Sequence, residues 1–475
     1  MQDKEVIFGA PGCGKTTYLL NILEKELKEH NSDRIAFVSF TKKGASEGLT
    51  RAMEKFDYEE SDLPHFRTLH SMCFRALGMK KADMLSKNDY RIFSKAMNMN
   101  FVGYYTEEFF HNDDKFLYMY FLKLNNYEMY KKIRDATNID VNMLKHVALN
   151  YTNYKKKFFK TDFTDMLTMA VDQKIKLDVD IAIIDEAQDL TTLQWKVCET
   201  LFSGAKKVYI AGDDDQAIYE WSGADITYFL GIKGKRTILD KSWRLKSELL
   251  AFAKSISSEI SSRVEKDFQP YEEGGEIEYY NTFEGFKFNP DESYYCLSRN
   301  NYFLKRYTTE LRKQVKVYKH KGKLSVDPKV VEAINNYKDY KADTLAPKER
   351  YNVERFLRRD IKSIDKLSWF EVFNIDTDES FYYRKLIQNK VDINDTNVTV
   401  STIHGVKGGE ADNVVLFMDV TKAVYQQLYS LSDSELRCLY VACTRAKNKL
   451  HIVHASSKYS YSTILSDITG VDNEL

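Results

Sequence analysis

Proline is scarce in this chain, six residues in 475, and glycine is modest at 20, which excludes collagen-like and proline-rich linker architectures. The six cysteines (Cys13, Cys73, Cys198, Cys296, Cys438, Cys443) are scattered and form no C-x-x-C pair. Neither a zinc site nor a dense disulfide framework is therefore expected, and a reducing compartment is the default. No uninterrupted apolar stretch approaches the roughly 20 residues of a membrane helix. The apolar run after Glu5 is only Val6-Ile7-Phe8, which is not the layout of a secretion signal, so a cytoplasmic protein with no membrane partner is expected. Neither sign of charge prevails, with 70 Lys+Arg against 70 Asp+Glu, which excludes a uniformly basic nucleic-acid binder and leaves a local basic groove open.

What is present is enough chain to bury several cores, 43% of it apolar, or about two to four domains. Residues 4–40 read strand (Glu5–Phe8), Gly-rich turn (Gly9–Lys15), helix (Thr16–Glu29) and strand (Arg34–Phe40), a βαβ unit that predicts a parallel sheet. Further apolar runs fit strands at Ile181–Ile184, Lys207–Ala211, Tyr294–Leu297, Val398–Ser401, Val414–Met418 and Leu450–Val453. The fold class expected is α/β, doubly wound, and present twice. Residues 86–160, polar and Lys-rich, and 325–395, charged and with helical spacing, break the rhythm and read as helical insertions. The first is rich in aromatics, with eleven Phe and Tyr between 101 and 130, and reads as the core of a small helical subdomain.

Gly9-Ala10-Pro11-Gly12-Cys13-Gly14-Lys15-Thr16, followed by Thr17, fits G-x-x-x-x-G-K-[ST] with no mismatch. Such a loop curls backbone N–H groups around phosphate oxygens at the positive end of a helix. Lys15 is then expected to reach the β- and γ-phosphates and Thr16 to hold Mg²⁺. Ile181-Ala182-Ile183-Ile184-Asp185-Glu186 is an apolar strand that ends in two carboxylates. Asp185 is suited to Mg²⁺, and Glu186 to orienting or deprotonating an attacking water.

Asp185-Glu186-Ala187-Gln188-Asp189 and Gly212-Asp213-Asp214-Asp215-Gln216-Ala217-Ile218-Tyr219-Glu220-Trp221-Ser222-Gly223-Ala224 resemble motifs of the UvrD/PcrA/Rep family of superfamily 1 helicases. Further resemblances follow in that family's order: Ser39-Phe40-Thr41-Lys42-Lys43, Thr68-Leu69-His70-Ser71, Asp162-Phe163-Thr164-Asp165-Met166-Leu167, Ser242-Trp243-Arg244, Leu297-Ser298-Arg299-Asn300, Thr402 to Glu410, and Leu439 to Lys447.

The resemblance implies two RecA-like doubly wound parallel-sheet domains, each with a helical insertion. The first would span 1–85 and 161–236 with its insertion at 86–160; the second would span 237–324 and 396–475 with a reduced insertion at 325–395. It implies ATP and Mg²⁺ as cofactors, with ATP between the two domains. Gln216 would sense the γ-phosphate, and Arg244 and Arg445 would act as arginine fingers, for which a planar guanidinium is suited. Trp243 would stack on adenine, and Glu410 would contact the nucleotide near the ribose. Phe40, Tyr219 and Trp221 would stack on bases, with Thr41, Lys42, His70 and His404 on the nucleic-acid backbone.

Taken without the motifs, Phe40 and Tyr219 read as core in preference to stacking residues, and each arginine as one half of a surface ion pair. Ser222 stands where the family has Arg, Gly409 where it has Leu, and the family's upstream glutamine segment has no counterpart before the phosphate loop. The implied function is an ATP-dependent single-stranded DNA translocase and helicase of 3′→5′ polarity, acting in replication, repair or recombination in a bacterial or phage-infected cell. Single-stranded DNA and ss/ds junctions, and a replication or repair protein, are the partners implied for a monomer. The alternatives are a translocase that remodels nucleoprotein with little unwinding, an RNA-directed helicase, and a nucleotide-gated binding module without turnover.

Overall fold

The computed structural model describes residues 2–40, 42–103, 112–360, 364, 366–394, 396–429 and 432–469. The chain forms two compact units, one of Met1–Arg244 with Ile260–Tyr271 and one of Leu245–Glu259 with Glu272–Leu475.

The first unit contains β1 (Asp3–Gly9), β2 (Ile35–Ser39), β3 (Phe66–Thr68), β4 (Ile181–Asp185), β5 (Lys207–Gly212) and β6 (Lys235–Leu239). They form one parallel sheet in the order β3-β2-β4-β5-β1-β6. The continuous apolar runs are explained by burial on both faces. Val6 and Phe8 of β1, Ala36 and Val38 of β2, Ala182 and Ile184 of β4, and Val208 and Ile210 of β5 enter one core. The alternate residues Ile7, Ile35, Phe37, Ile181, Ile183, Tyr209 and Ala211 enter the other. β6 pairs with β1 from Glu5↔Lys235 to Gly9↔Leu239, so this sheet runs past residue 236.

Between β3 and β4 lie the helices Lys87–Met97, Asp114–Asn125, Tyr127–Ala136 and Val141–Phe158. Their shared core buries Phe93, Phe101, Phe116, Tyr118, Tyr130 and Tyr151, so the described aromatics of this stretch are largely packing residues. The segment is fastened to the next helix, Phe163–Asp172, by charge. Asp162 caps that helix by accepting from the Asp165 N–H (2.8 Å), and the buried Lys155 ammonium stands 2.5 Å from Asp162 and 2.6 Å from Asp165.

The second unit holds β7 (Glu276–Tyr280), β8 (Tyr294–Ser298), β9 (Lys319–His320), β10 (Lys323–Leu324), β11 (Val398–Thr402), β12 (Ala411–Phe417) and β13 (Ala446–Val453). The sheet order is β10-β9-β11-β8-β12-β13-β7, parallel except for the β9–β10 hairpin. The first unit and this one are thus both doubly wound α/β assemblies. Residues between β10 and β11 build a separate small core around Val330, Ile334, Tyr337, Val353, Phe373 and Tyr383. No helix among the described residues is long and apolar enough to cross a membrane.

One buried ion pair organises the second unit. Arg299, just past β8, donates through Nε and Nη2 to both oxygens of Glu435 (2.8 and 2.6 Å) on helix Asp433–Cys443, and the Tyr461 hydroxyl donates to the same carboxylate (2.9 Å). All three side chains are nearly inaccessible to solvent. Glu435→Leu removes the carboxylate that faces a buried guanidinium and is expected to cost about 3–5 kcal/mol, read as a shift in urea-induced unfolding.

Candidate functional site

The phosphate loop leaves β1 and enters the helix Lys15–Glu26 through Gly14, which has φ 78°. Glycine adopts this left-handed conformation without penalty and cannot claim the first-turn N–H groups with a side-chain cap. Gly12 (φ 72°) is required twice over, because a Cβ there would meet the Cβ of Arg244 at 2.4 Å. Lys15 folds back on its own loop, donating to the carbonyls of Gly9 (2.8 Å) and Ala10 (3.3 Å). Burial works to lower the Lys15 pKa. The Cys13 thiol and the carboxylates of Asp213, Glu186 and Asp185 outweigh it, so the ammonium is raised above its ordinary value.

Because β4, β5 and β1 are adjacent in the sheet, their C-terminal ends bring three motifs to one edge. Asp185 ends β4. Burial first, then the neighbouring Glu186 carboxylate, lift it to about 7. Glu186 is a non-glycine residue in the left-handed region (φ 55°), a conformation costing about 1–2 kcal/mol. The Gln188 side chain stabilises that turn by donating to Glu186 Oε2 (2.6 Å), and its Oε1 accepts from the Asp213 N–H (3.0 Å) at the end of β5. Asp213 in turn accepts from Gln216 Nε2 (2.6 Å). Glu186 and Gln216 are thus joined by a hydrogen-bonded relay through Gln188 and Asp213, two residues to which the sequence motifs had given no role.

Trp243 and Arg244 dock on the phosphate loop itself. The Trp243 N–H donates to the Gly12 carbonyl (2.7 Å), and the Ser242 hydroxyl donates to the Pro11 carbonyl (2.9 Å). The Trp243 ring remains 59% exposed, with the Lys241 ammonium 4.2 Å from its centroid. A large aromatic face held open beside a phosphate loop is the geometry that an adenine ring needs. Ala10, Pro11 and Cys13 are buried in the loop, Thr16 is half-buried and Thr17 exposed.

The aromatic candidates also converge. The Phe40 and Tyr219 rings are 5.7 Å apart and the Tyr219 and Trp221 rings 6.3 Å apart, all three half-buried. The Tyr118 hydroxyl holds the Trp221 carbonyl (2.6 Å), and Asn126 holds that of Gly223 (3.2 Å). His70 is half-buried edge-on to Phe163, and burial lowers its pKa to about 4. Lys42 is exposed at the start of helix Lys42–Phe56, and Thr41 lies outside the described residues.

The remaining candidates belong to the second unit. Arg445 is 1% exposed, and its Nε, Nη1 and Nη2 donate to Val441 O (3.0 Å), Gly409 O (3.1 Å) and Thr444 Oγ1 (3.0 Å). Glu410 is exposed beside Gly409, and His404 is half-buried with Nε2 3.8 Å from Cys438 Sγ. Gly409 is explained locally, since a Cβ there would lie 2.5 Å from the Tyr295 hydroxyl.

Residues 1–236 match the family model described as "UvrD/REP helicase N-terminal domain", and residues 397–453 match the "UvrD-like helicase C-terminal domain". The chain is similar to the ATP-dependent DNA helicase Rep of Buchnera aphidicola subsp. Baizongia pistaciae, 23% identical over 53% of this chain and 40% of that protein. It is similar to the Rep of Buchnera aphidicola subsp. Acyrthosiphon pisum at 26% identity over 46% of this chain and 37% of that protein. The ATP-dependent DNA helicase PcrA of Staphylococcus epidermidis is 25% identical over 58% of this chain and 41% of that protein. The chain thus matches less than half the length of each of these curated relatives. With an N-terminal and a C-terminal model of one family following each other along it, the chain belongs to the UvrD/REP helicase family.

Proposed function

We propose that this protein is an ATP-hydrolysing motor that moves on single-stranded DNA and unwinds duplex ahead of it. The observation that carries the reading is the single edge of the first sheet where Lys15, the Asp185–Glu186 pair and the Gln216–Asp213 pair meet, with the open face of Trp243 beside the loop. The loop amides and Lys15 bind the phosphates. Thr16 and Asp185 would hold Mg²⁺, whose chemistry is to neutralise charge on the β- and γ-oxygens. The donors suit that ion, being a hydroxyl and a carboxylate and so hard oxygen ligands. Glu186 orients or deprotonates the attacking water, and Gln216 reads the terminal phosphate. Phe40, Tyr219 and Trp221 form a stacking platform for bases, which is sequence-tolerant because every base has a π-face. Lys42, His70 and, in the second unit, His404 serve the strand's backbone, and Thr41 is assigned with them by motif alone. Family membership supports 3′→5′ polarity and work in replication, repair or recombination.

One observation favours a second reading, a nucleotide-gated binding module without turnover: the Arg445 guanidinium is engaged within its own unit. Steady-state ATP hydrolysis separates the two. Turnover is expected to rise with single-stranded DNA and to fall by about 10²- to 10⁴-fold in Glu186→Gln, the range for losing a general base. Turnover indifferent to DNA, or none, removes the motor reading. Strand displacement on 3′- and 5′-tailed duplexes then reads polarity.

Trp243→Ala is expected to weaken nucleotide affinity about tenfold, as loss of one stacked base does, while hydrolysis at saturating ATP persists. Equilibrium titration checks it, and unchanged affinity would take Trp243 out of the site.

Because burial lowers His70, its ring is neutral at ordinary pH. A charged ring on the phosphates would make DNA affinity rise as pH falls through 6.5. Wild type and His70→Gln are instead expected to share one pH profile between about pH 5.5 and 8. The same shift has a sign for stability: the contribution is present above the unfolded pKa and is lost as pH falls towards 4.

A further inference from the structure

Gly212-Asp213-Asp214-Asp215-Gln216 places three consecutive, fully buried carboxylates at the end of β5. Three adjacent buried acids are tenable only against cations. Beside Lys15, which faces Asp213, two cations come from Ile260–Tyr271, a segment of the first unit flanked in sequence on both sides by residues of the second. The side chain of Lys266 is fully buried. Its ammonium is 3.3 Å from Asp213 and 3.0 Å from Asp215 and pairs directly with Asp214. Arg263 grips both oxygens of Asp215 (2.9 and 2.8 Å), and the Val264 N–H donates to Asp214 (2.6 Å). Lys266 thus fills the place a bound cation would take among three acids.

The consequence runs through Asp213. One of its oxygens takes Lys266 (3.3 Å) together with the Asp215 N–H (3.2 Å) and the other takes Gln216 Nε2 (2.6 Å), while its N–H is committed to Gln188. A carboxylate only accepts, so the Gln216 amide must present its nitrogen to Asp213, which fixes how the amide is turned. Without the ammonium, that oxygen keeps only the Asp215 N–H, and the carboxylate that Gln216 Nε2 bonds loses its charged anchor.

We infer that Lys266 is a positioning residue that, by pinning Asp213, holds Gln216 in the orientation that distinguishes a nucleoside triphosphate from a diphosphate. The inference rests on the reading of the phosphate loop as an ATP site. It assigns Lys266 no contact with nucleotide. Its effect is on discrimination and not on the affinity that the phosphate loop and Trp243 supply to either nucleotide.

The test is calorimetric titration of the full chain with ADP and with a non-hydrolysable ATP analogue, each with Mg²⁺, for wild type, Lys266→Met and Lys266→Met/Asp214→Asn. The double variant removes one charge of each sign, so the buried cluster keeps its net charge. The amide oxygen introduced by Asp214→Asn can still accept from the Val264 N–H. The double variant keeps the test valid if Lys266→Met alone fails to fold, with thermal melting as the check.

The affinity ratio between triphosphate and diphosphate is expected to fall about tenfold, the scale of losing a hydrogen bond to a charged group, with ADP affinity held within about twofold. A folded double variant with the wild-type ratio overturns the inference, as does a parallel loss of both affinities, which marks a merely structural role. If wild type binds neither nucleotide, the ATP reading itself falls and takes this inference with it. Binding with an unchanged ratio overturns this inference alone.

Discussion

Lys15 carries a positive charge into a pocket walled by carboxylates, and the rest of the site is arranged around that fact. Burial opposes the ammonium, and the Cys13 sulfur with Asp213, Glu186 and Asp185 more than compensate. The converse strain falls on the acids: Asp185, desolvated and beside Glu186, rises to about 7. Lys266 and Arg263 answer Asp214 and Asp215, which leaves Asp185, Glu186 and Asp213 with Lys15, Arg244 and Lys241 about the same loop. A divalent cation arriving with a polyphosphate would offset the charge of both the phosphates and these acids.

What gathers these groups is strand order. Residues 15, 185 and 213 are far apart in sequence, but β4, β5 and β1 are neighbours and parallel, so their C-terminal ends open on one side. That arrangement was legible in the chain. The runs Val6–Phe8, Ile181–Ile184 and Val208–Ala211 are apolar at consecutive positions because odd and even residues serve two different cores. β6 and β7 escaped the same reading, since Lys235–Leu239 and Glu276–Tyr280 hold no fully buried residue and carry charge. β3, β9 and β10 are too short to show a period.

The site divides along the same line. The phosphate loop and the two acids of β4 are local patterns, readable because backbone geometry and chemistry coincide within a few residues. Lys266 and Arg263 lie some 50 positions from the acids they neutralise, in a stretch with no pattern of its own; which cation answers a buried carboxylate is decided by tertiary packing. The aromatic platform is an intermediate case. Phe40, Tyr219 and Trp221 could have been core or surface, and the structure makes them half-buried neighbours. Trp221 packs against the core of the helical segment, whose Tyr118 and Asn126 hold the carbonyls of Trp221 and Gly223. Ser222, standing where the family has Arg, spends its hydroxyl on the Tyr219 carbonyl and tightens the same turn.

Arg445 tests how far a buried guanidinium can still be an active one. Three of its donors go to two carbonyls and a hydroxyl, which stabilises the junction between helix Asp433–Cys443 and β13. A guanidinium carries two N–H groups on each terminal nitrogen, so one bond to Gly409 O and one to Thr444 Oγ1 do not by themselves exhaust what Nη1 and Nη2 can donate. The bonds hold the side chain pre-folded at that junction, and turnover, not their presence, decides between the motor and the binding module.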